Sequence, residues 1–186
     1  RRVLFRSAIG RRVERMLTEG VDIIDVGGYS SRSGAGEVSA AEEVRRVCRG
    51  IEAVRRLSAD IPVSVDTFRA DVAEAAVAAG ANIINDISGG TADEAMFATV
   101  ARLKTPYVLM HMRGTPQTMQ QLTGYTDVTA DVIAELSGPL HRLQLMGVAD
   151  VIIDPGFGFA KTTEQNYELM RNLTAIESML GDRKSV

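Results

Sequence analysis

Residues 62–87 read PVSVDTFRADVAEAAVAAGANIINDI, and this stretch decides the fold. Residues 62–66 form a short β-branched run ending in Asp66. Residues 69–79 have helical spacing and stop at Gly80, a residue that takes the left-handed cap conformation without strain. Residues 82–87 are a second apolar run, interrupted only by Asn85 and Asp86. Both runs are read as largely apolar. Both faces should therefore be covered, which is the pattern of parallel strands with helices packed outside them.

The same strand–helix alternation extends in both directions. Residues 21–26 (VDIIDV), 106–112 (PYVLMHM) and 150–154 (DVIID) bring the expected strands to five. Ser39-Ala-Ala-Glu42 has the form of a capping box and should open a helix reaching about Ser58. On that helix Arg45, Arg46, Arg49, Arg55 and Arg56 alternate with Glu42, Glu43 and Glu52, as on a solvated face. A helix is expected over residues 93–103. Thr162-Thr-Glu-Gln165 offers a second capping box for a helix ending near Leu180. Residues 113–126 are a polar loop, followed by a helical segment through Met146 in which Pro139 should force a break or kink.

Periodicity alone fits either a (β/α)8 barrel or a doubly wound sheet. The strand ends favour the barrel. Asp25-Val-Gly-Gly28, Asp66-Thr67, Asn85-Asp86, His111-Met-Arg113 and Asp154-Pro-Gly156 would converge on one mouth if the sheet closes, whereas an open sheet would spread them along an edge. The expected fold is thus α/β, a partial (β/α)8 barrel holding about strands 2–6 with their helices and truncated at both ends.

Composition narrows the function classes. A chain of 186 residues that is 45% hydrophobic suits one domain with a buried core. The single Cys48 forms no internal disulfide, and no stretch approaches the ~18 apolar residues of a membrane span, so a cytoplasmic setting is expected. A net charge of -3 provides no basic field for nucleic acid. The ends look foreign. Residues 1–7 (RRVLFRS) and 182–186 (DRKSV) resemble translated adapter sequence, which leaves residues 8–181 as the domain and makes it more acidic still.

Asp66, Asn85 and Asp154 form the main candidate constellation. No serine or cysteine nucleophile pairs with a histidine base, so they do not resemble a triad. A carboxylate can accept from adjacent N–H groups of a flat heterocycle, and an amide can donate and accept at once. Asp plus Asn on a pocket floor therefore suits a 2-amino-4-oxo-pyrimidine edge. Each could instead cap a following helix. The loop over residues 27–36 (GGYSSRSGAG) could offer backbone N–H groups, the Ser30 and Ser31 hydroxyls and the Arg32 guanidinium to a phosphate or carboxylate, or be a plain surface turn. In residues 154–161 (DPGFGFAK), Phe157 and Phe159 could wall an aromatic ligand while Lys161 holds its charged end. Packing of both rings into the rim is the bland reading. Met110 and His111 end a strand at the mouth, either as ligand contacts or as satisfied strand-end residues. His141 and Cys48 lie in helices with nothing nearby to suggest a metal site or reactive thiol.

The blocks VDIIDVGGYSSRSGAGEVS, PVSVDTFR, ANIINDISGG, PYVLMHMRGTPQTMQ and VIIDPGFGFAKT, in this order, resemble the consecutive signature segments of dihydropteroate synthases. The resemblance implies an enzyme of folate biosynthesis, a transferase and sulfonamide target. It would condense 7,8-dihydropterin-6-ylmethyl pyrophosphate with p-aminobenzoate in a barrel mouth, and the full enzyme would be a homodimer. It implies that Asp66, Asn85 and Asp154 hold the pterin, with Asp66 and Asp154 catalytic and Met110 beside the substrate. Ser31 and Arg32 would belong to the mobile loop meeting pyrophosphate and p-aminobenzoate, and Phe159 would lie near the aminobenzoate. It also implies Mg2+, whose asparagine ligand falls on a strand the chain lacks. Ser31-Arg32-Ser33 replaces the family's Thr-Arg-Pro, and the lost proline should widen the loop's ensemble and alter discrimination between p-aminobenzoate and sulfonamides. Arg183-Lys184-Ser185 imitates a late family motif, but no apolar strand precedes it and Lys184 is given no role. Two other readings stand beside this one. One is a pterin-binding methyltransferase domain, which shares the Asp, Asn, Asp pattern. The other is a noncatalytic fragment, and a chain with five strands of eight is expected to be inactive alone.

Overall fold

The computed structural model describes residues 8–29 and 38–181. The expectations for Ser31, Arg32, Ser33 and the two tails, Lys184 included, fall outside the described residues. In chain order the elements are α1 (Ala8–Thr18), β1 (Ile24–Gly27), α2 (Ala40–Leu57), β2 (Val63–Asp66), α3 (Ala70–Ala79), β3 (Ile83–Asp86) and α4 (Met96–Leu103). They continue with β4 (Tyr107–Met110), α5 (Val128–Leu145), β5 (Val151–Asp154), α6 (Thr163–Arg171) and α7 (Leu173–Leu180). All five strands are parallel and lie in the order β1-β2-β3-β4-β5. That order separates the two candidate architectures. A doubly wound sheet reverses its strand order at a switch point, whereas a barrel adds each strand beside the last. The sheet is therefore an arc of a (β/α)8 barrel.

Each strand presents alternate residues to opposite faces. The outer set, including Ile24, Val63, Val65, Ile84, Tyr107 and Leu109, is buried beneath the helices with Val47, Ile51, Val54, Val72, Val100, Val132 and Leu143. Gly50 lets α2 approach the sheet, since a Cβ there would lie 2.7 Å from Val26 Cγ1. The inner set turns to the concave face. Ile152 there is 50% exposed. Among the described residues no helix is long and apolar enough to cross a membrane.

Several local expectations are corrected. α1 was not anticipated, although Ile9, Val13, Met16 and Leu17 have amphipathic spacing and Val13 is buried. β1 pairs only from Ile24, opposite Val63, leaving Ile23 exposed ahead of the ladder. α4 starts at Met96 because Asp93 is spent elsewhere: Oδ2 accepts from Ala70 N, capping α3, and Oδ1 from Ala95 N. α5 runs unbroken through Pro139. The carbonyl that Pro139 leaves without its helical donor is that of Glu135, a residue on the exposed side. The single helix expected up to Leu180 divides at Asn172, whose Nδ2 donates to Thr129 Oγ1 at 3.0 Å.

The Thr162–Gln165 capping box is complete. At α2 only the serine half forms, because the Glu42 carboxylate is taken by Arg45 and Arg46. The α2 face is not uniformly solvated either. Arg55 donates to the carbonyls of Ile61 and Gly80, and Glu43 is fully buried.

Candidate functional site

The strand register builds the site. Gly27, Asp66 and Asn85 are neighbours across β1, β2 and β3, so Asp66 and Asn85 share one row of the concave face. Met110 and Asp154 pair across β4 and β5, one row nearer the mouth. Gly27 borders the carboxylate, since a Cβ at that position would be in ordinary contact with Asp66 Oδ2 at 3.4 Å. One row below, Ser64 Oγ donates to Asp25 Oδ1. Asp66 and Asn85 are half-buried, and neither side chain has a hydrogen-bond partner among the described residues. A carboxylate and an amide lie side by side with hydrogen-bonding capacity left over for a ligand. They do not cap helices, since the Asp66 side chain makes no hydrogen bond to the start of α3, which takes Asp93 instead.

The electrostatics agree with that arrangement. The Asp66 carboxyl is pushed up to about 7, first by burial and then by the negative charges of Asp25, Asp86 and Glu43. A group whose charged form is disfavoured in the empty site gains most from a ligand that donates hydrogen bonds to it. Asp86 follows Asn85 but points to the opposite face, as strand alternation requires. It accepts from Ser88 N and Oγ, Gly90 N and Tyr107 Oη, bracing the loop after β3. Burial raises its carboxyl too.

Two internal supports surround the floor. The first begins at fully buried Glu43. Its Oε1 accepts from Thr67 Oγ1 at 2.7 Å, and its Oε2 takes Arg69 Nη1. Arg69 also donates to Val38 O and lies over the rings of Tyr29 and Phe68, which meet edge to face. Arg69 thereby touches the chain on both sides of residues 30–37. A cavity of about 360 Å³ opens beside the floor, lined by Tyr29, Phe68, Ile87, Met112 and Pro116 among others.

The second support is the loop after β5. Asp154 Oδ1 accepts from Gly156 N at 2.8 Å, which ties the carboxylate to its own loop. Phe159 is half-buried and Phe157 exposed. Met110 is buried at the end of β4, with 4% exposure. Lys161 differs from its sequence expectation. It is 4% exposed, and Nζ bonds Gly156 O, Phe159 O and His111 Nδ1, so its charge is spent on the protein rather than held out to a ligand. His111 is the satisfied strand-end histidine, with Nε2 at 3.0 Å from Glu135 Oε2. The roles of Glu43 and Lys161 were invisible in sequence because burial, not residue type, determines them. Among the described residues no group of three His, Cys, Asp or Glu side chains could hold a metal ion. Cys48 sits against Ala75 O with its thiol pushed up by burial, away from this site.

Known proteins carry the same architecture. The chain is 44% identical over 170 residues to the dihydropteroate synthase of Synechocystis sp., covering 90% of this chain and 58% of that protein. Among solved structures, Yersinia pestis dihydropteroate synthase with a sulfonamide drug complex superposes with a TM-score of 0.85 at 36% identity, covering 91% of this chain and 62% of that one. Burkholderia cenocepacia dihydropteroate synthase complexed with 7,8-dihydropteroate gives a TM-score of 0.81 at 41% identity, with 91% and 62% coverage. The chain thus spans about three fifths of the length of these relatives. The model of the pterin binding enzyme family matches residues 5–186, nearly the whole length, and the chain belongs to that family.

Proposed function

We propose that this chain forms the pterin-binding floor of a dihydropteroate synthase, and that the reaction served is condensation of 7,8-dihydropterin-6-ylmethyl pyrophosphate with p-aminobenzoate. The observation that carries this reading is the unpartnered Asp66–Asn85 pair in one row of the concave face. On this floor the Asp66 carboxylate accepts the paired N–H groups of the pyrimidine edge, and the Asn85 amide donates and accepts beside it. Asp154 faces the same space one row higher. Departure of pyrophosphate leaves positive charge developing on the pterin, and fixed carboxylates stabilise it more in the transition state than in the ground state. Phe159 stands at the rim, where the arylamine, or a sulfonamide in its place, would approach. Similarity to enzymes that hold dihydropteroate and a sulfonamide supports this assignment. Homodimer formation belongs to the same proposal. Mg2+, with its asparagine ligand on another strand, belongs to the same proposal, while the pterin-binding step is carried by protein side chains.

Binding should be coupled to protons. With the Asp66 carboxyl at about 7 before binding and a ligand that takes only the carboxylate, affinity should level off as pH rises through about 7. Below it, affinity should fall about tenfold per pH unit, with one proton released per pterin bound. Titration calorimetry in buffers of different ionisation heat reads the proton count directly. Binding with no proton release at about pH 6 would remove Asp66 from the contact.

A further inference from the structure

We propose that Lys161 is a positioning residue that holds Asp154 and Phe159 in ligand-binding orientation, acting through the backbone of residues 156–159 and the imidazole of His111. This inference rests on the pterin-binding reading but goes beyond it, since Lys161 touches no ligand.

The loop after β5 is costly to hold. Gly156, Gly158 and Ala160 all have positive φ, at 72°, 80° and 51°. Ala160 is not a glycine, and left-handed backbone at such a residue persists only where surrounding contacts impose it. Lys161, the next residue, supplies those contacts. Nζ donates to Gly156 O at 3.0 Å and to Phe159 O at 2.9 Å, closing the loop around one ammonium. The Gly156 N–H in turn donates to Asp154 Oδ1, so the same residue is held by Lys161 at its carbonyl and holds the site carboxylate at its amide.

His111 anchors the ammonium to the barrel. Nδ1 lies 3.0 Å from Lys161 Nζ and must accept, which places the imidazole proton on Nε2, facing Glu135. Burial keeps His111 below its usual range and Lys161 down at about 8. A neutral imidazole and a charged ammonium are thus the states this geometry requires near neutral pH. Glu135 of α5 is fixed in turn by Arg113, which stacks 3.8 Å from the centre of the Tyr125 ring and reaches Asp131. The charged groups acting on Lys161 are therefore Asp154 from β5, Glu135 from α5 and Arg113 from the loop after β4, with His111 in direct contact.

Lys161→Met keeps the length of the stem and removes the ammonium. Residue-resolved amide exchange of the 186-residue chain should show Gly156 and Phe159 accelerated about tenfold or more, while the strand amides of Ile84 and Tyr107 keep their rates. The dissociation constant for 7,8-dihydropterin-6-ylmethyl pyrophosphate should rise about tenfold in parallel. Unchanged exchange at Gly156 and Phe159 overturns the positioning role. If the variant loses protection in its strands as well, wild type is compared at about pH 7 and about pH 9.5, across the loss of the Lys161 charge. Acceleration beyond intrinsic base catalysis confined to residues 155–161 supports the role, and uniform acceleration along the chain overturns it. A wild-type chain that binds no pterin but gives the expected exchange pattern overturns the ligand assignment and leaves the positioning role standing.

Discussion

Asp66→Asn should weaken pterin binding strongly and at the same time stabilise the free protein. Two charge-assisted hydrogen bonds are lost, and one asparagine N–H group is turned against a ring N–H. Affinity should therefore drop by about 100-fold or more, given about 1.5–3 kcal/mol for each hydrogen bond to a charged group. The stability gain follows from the raised carboxyl. In the folded chain Asp66 titrates at about 7, whereas in an unfolded chain it titrates at about 4. Between those values the folded state binds more protons than the unfolded state, so its stability falls as pH rises and is lowest above about 7. Asparagine has no charge to bury and removes this penalty. A shift of about three units sets an upper bound of about 4 kcal/mol, and about 1–2 kcal/mol is expected for a half-buried side chain. The melting temperature should then rise by about 3–6 °C above pH 7, with no difference below about pH 4. Melting curves at several pH values check both limits, and a destabilised variant at pH 8 would contradict the assigned burial cost.

Gly156→Ala should be the most damaging single methyl group in the site. Gly156 has φ 72°, and a Cβ built there would lie 1.9 Å from the carbonyl oxygen of His111. That oxygen belongs to the backbone at the end of β4 and cannot swing aside as a flexible side chain can. The added methyl must displace either the loop or the strand end. Left-handed alanine costs about 1–2 kcal/mol before any clash, and overpacking adds about 1–3 kcal/mol. A loss of about 3 kcal/mol in denaturant unfolding is expected. Because Gly156 N holds the Asp154 carboxylate, pterin affinity should fall with it. A variant as stable as wild type with unaltered affinity would show that this close approach has no structural role.

The placement of Asp66, Asn85 and Asp154 was legible in sequence because each is a polar residue at the end of an apolar strand. Strand alternation fixes which way such a residue faces once its register is known. The same rule explains Asp86, adjacent to Asn85 and equally polar, yet turned outward to hold Tyr107 and the loop after β3. Sequence spacing could not assign those opposite faces without the pairing partners. Glu43 read as part of a solvated face because its helix neighbours are charged. Its burial depends on Thr67 and Arg69, more than twenty residues away. Lys161 read as a ligand contact because it follows two phenylalanines near a carboxylate. Only the left-handed turns at Gly156, Gly158 and Ala160 fold its stem back under the loop. The barrel was legible for a different reason: nearly every apolar run ends in a polar cluster, and the sequential strand order brings those ends to one mouth.

A crystal structure of the chain with 7,8-dihydropterin-6-ylmethyl pyrophosphate tests the pterin floor most directly. The pyrimidine N–H groups should lie within about 3 Å of the Asp66 carboxylate, with the Asn85 amide in hydrogen-bond contact with the same ring. A pterin bound instead in the cavity between Tyr29, Phe68 and Met112, with Asp66 and Asn85 untouched, would contradict it.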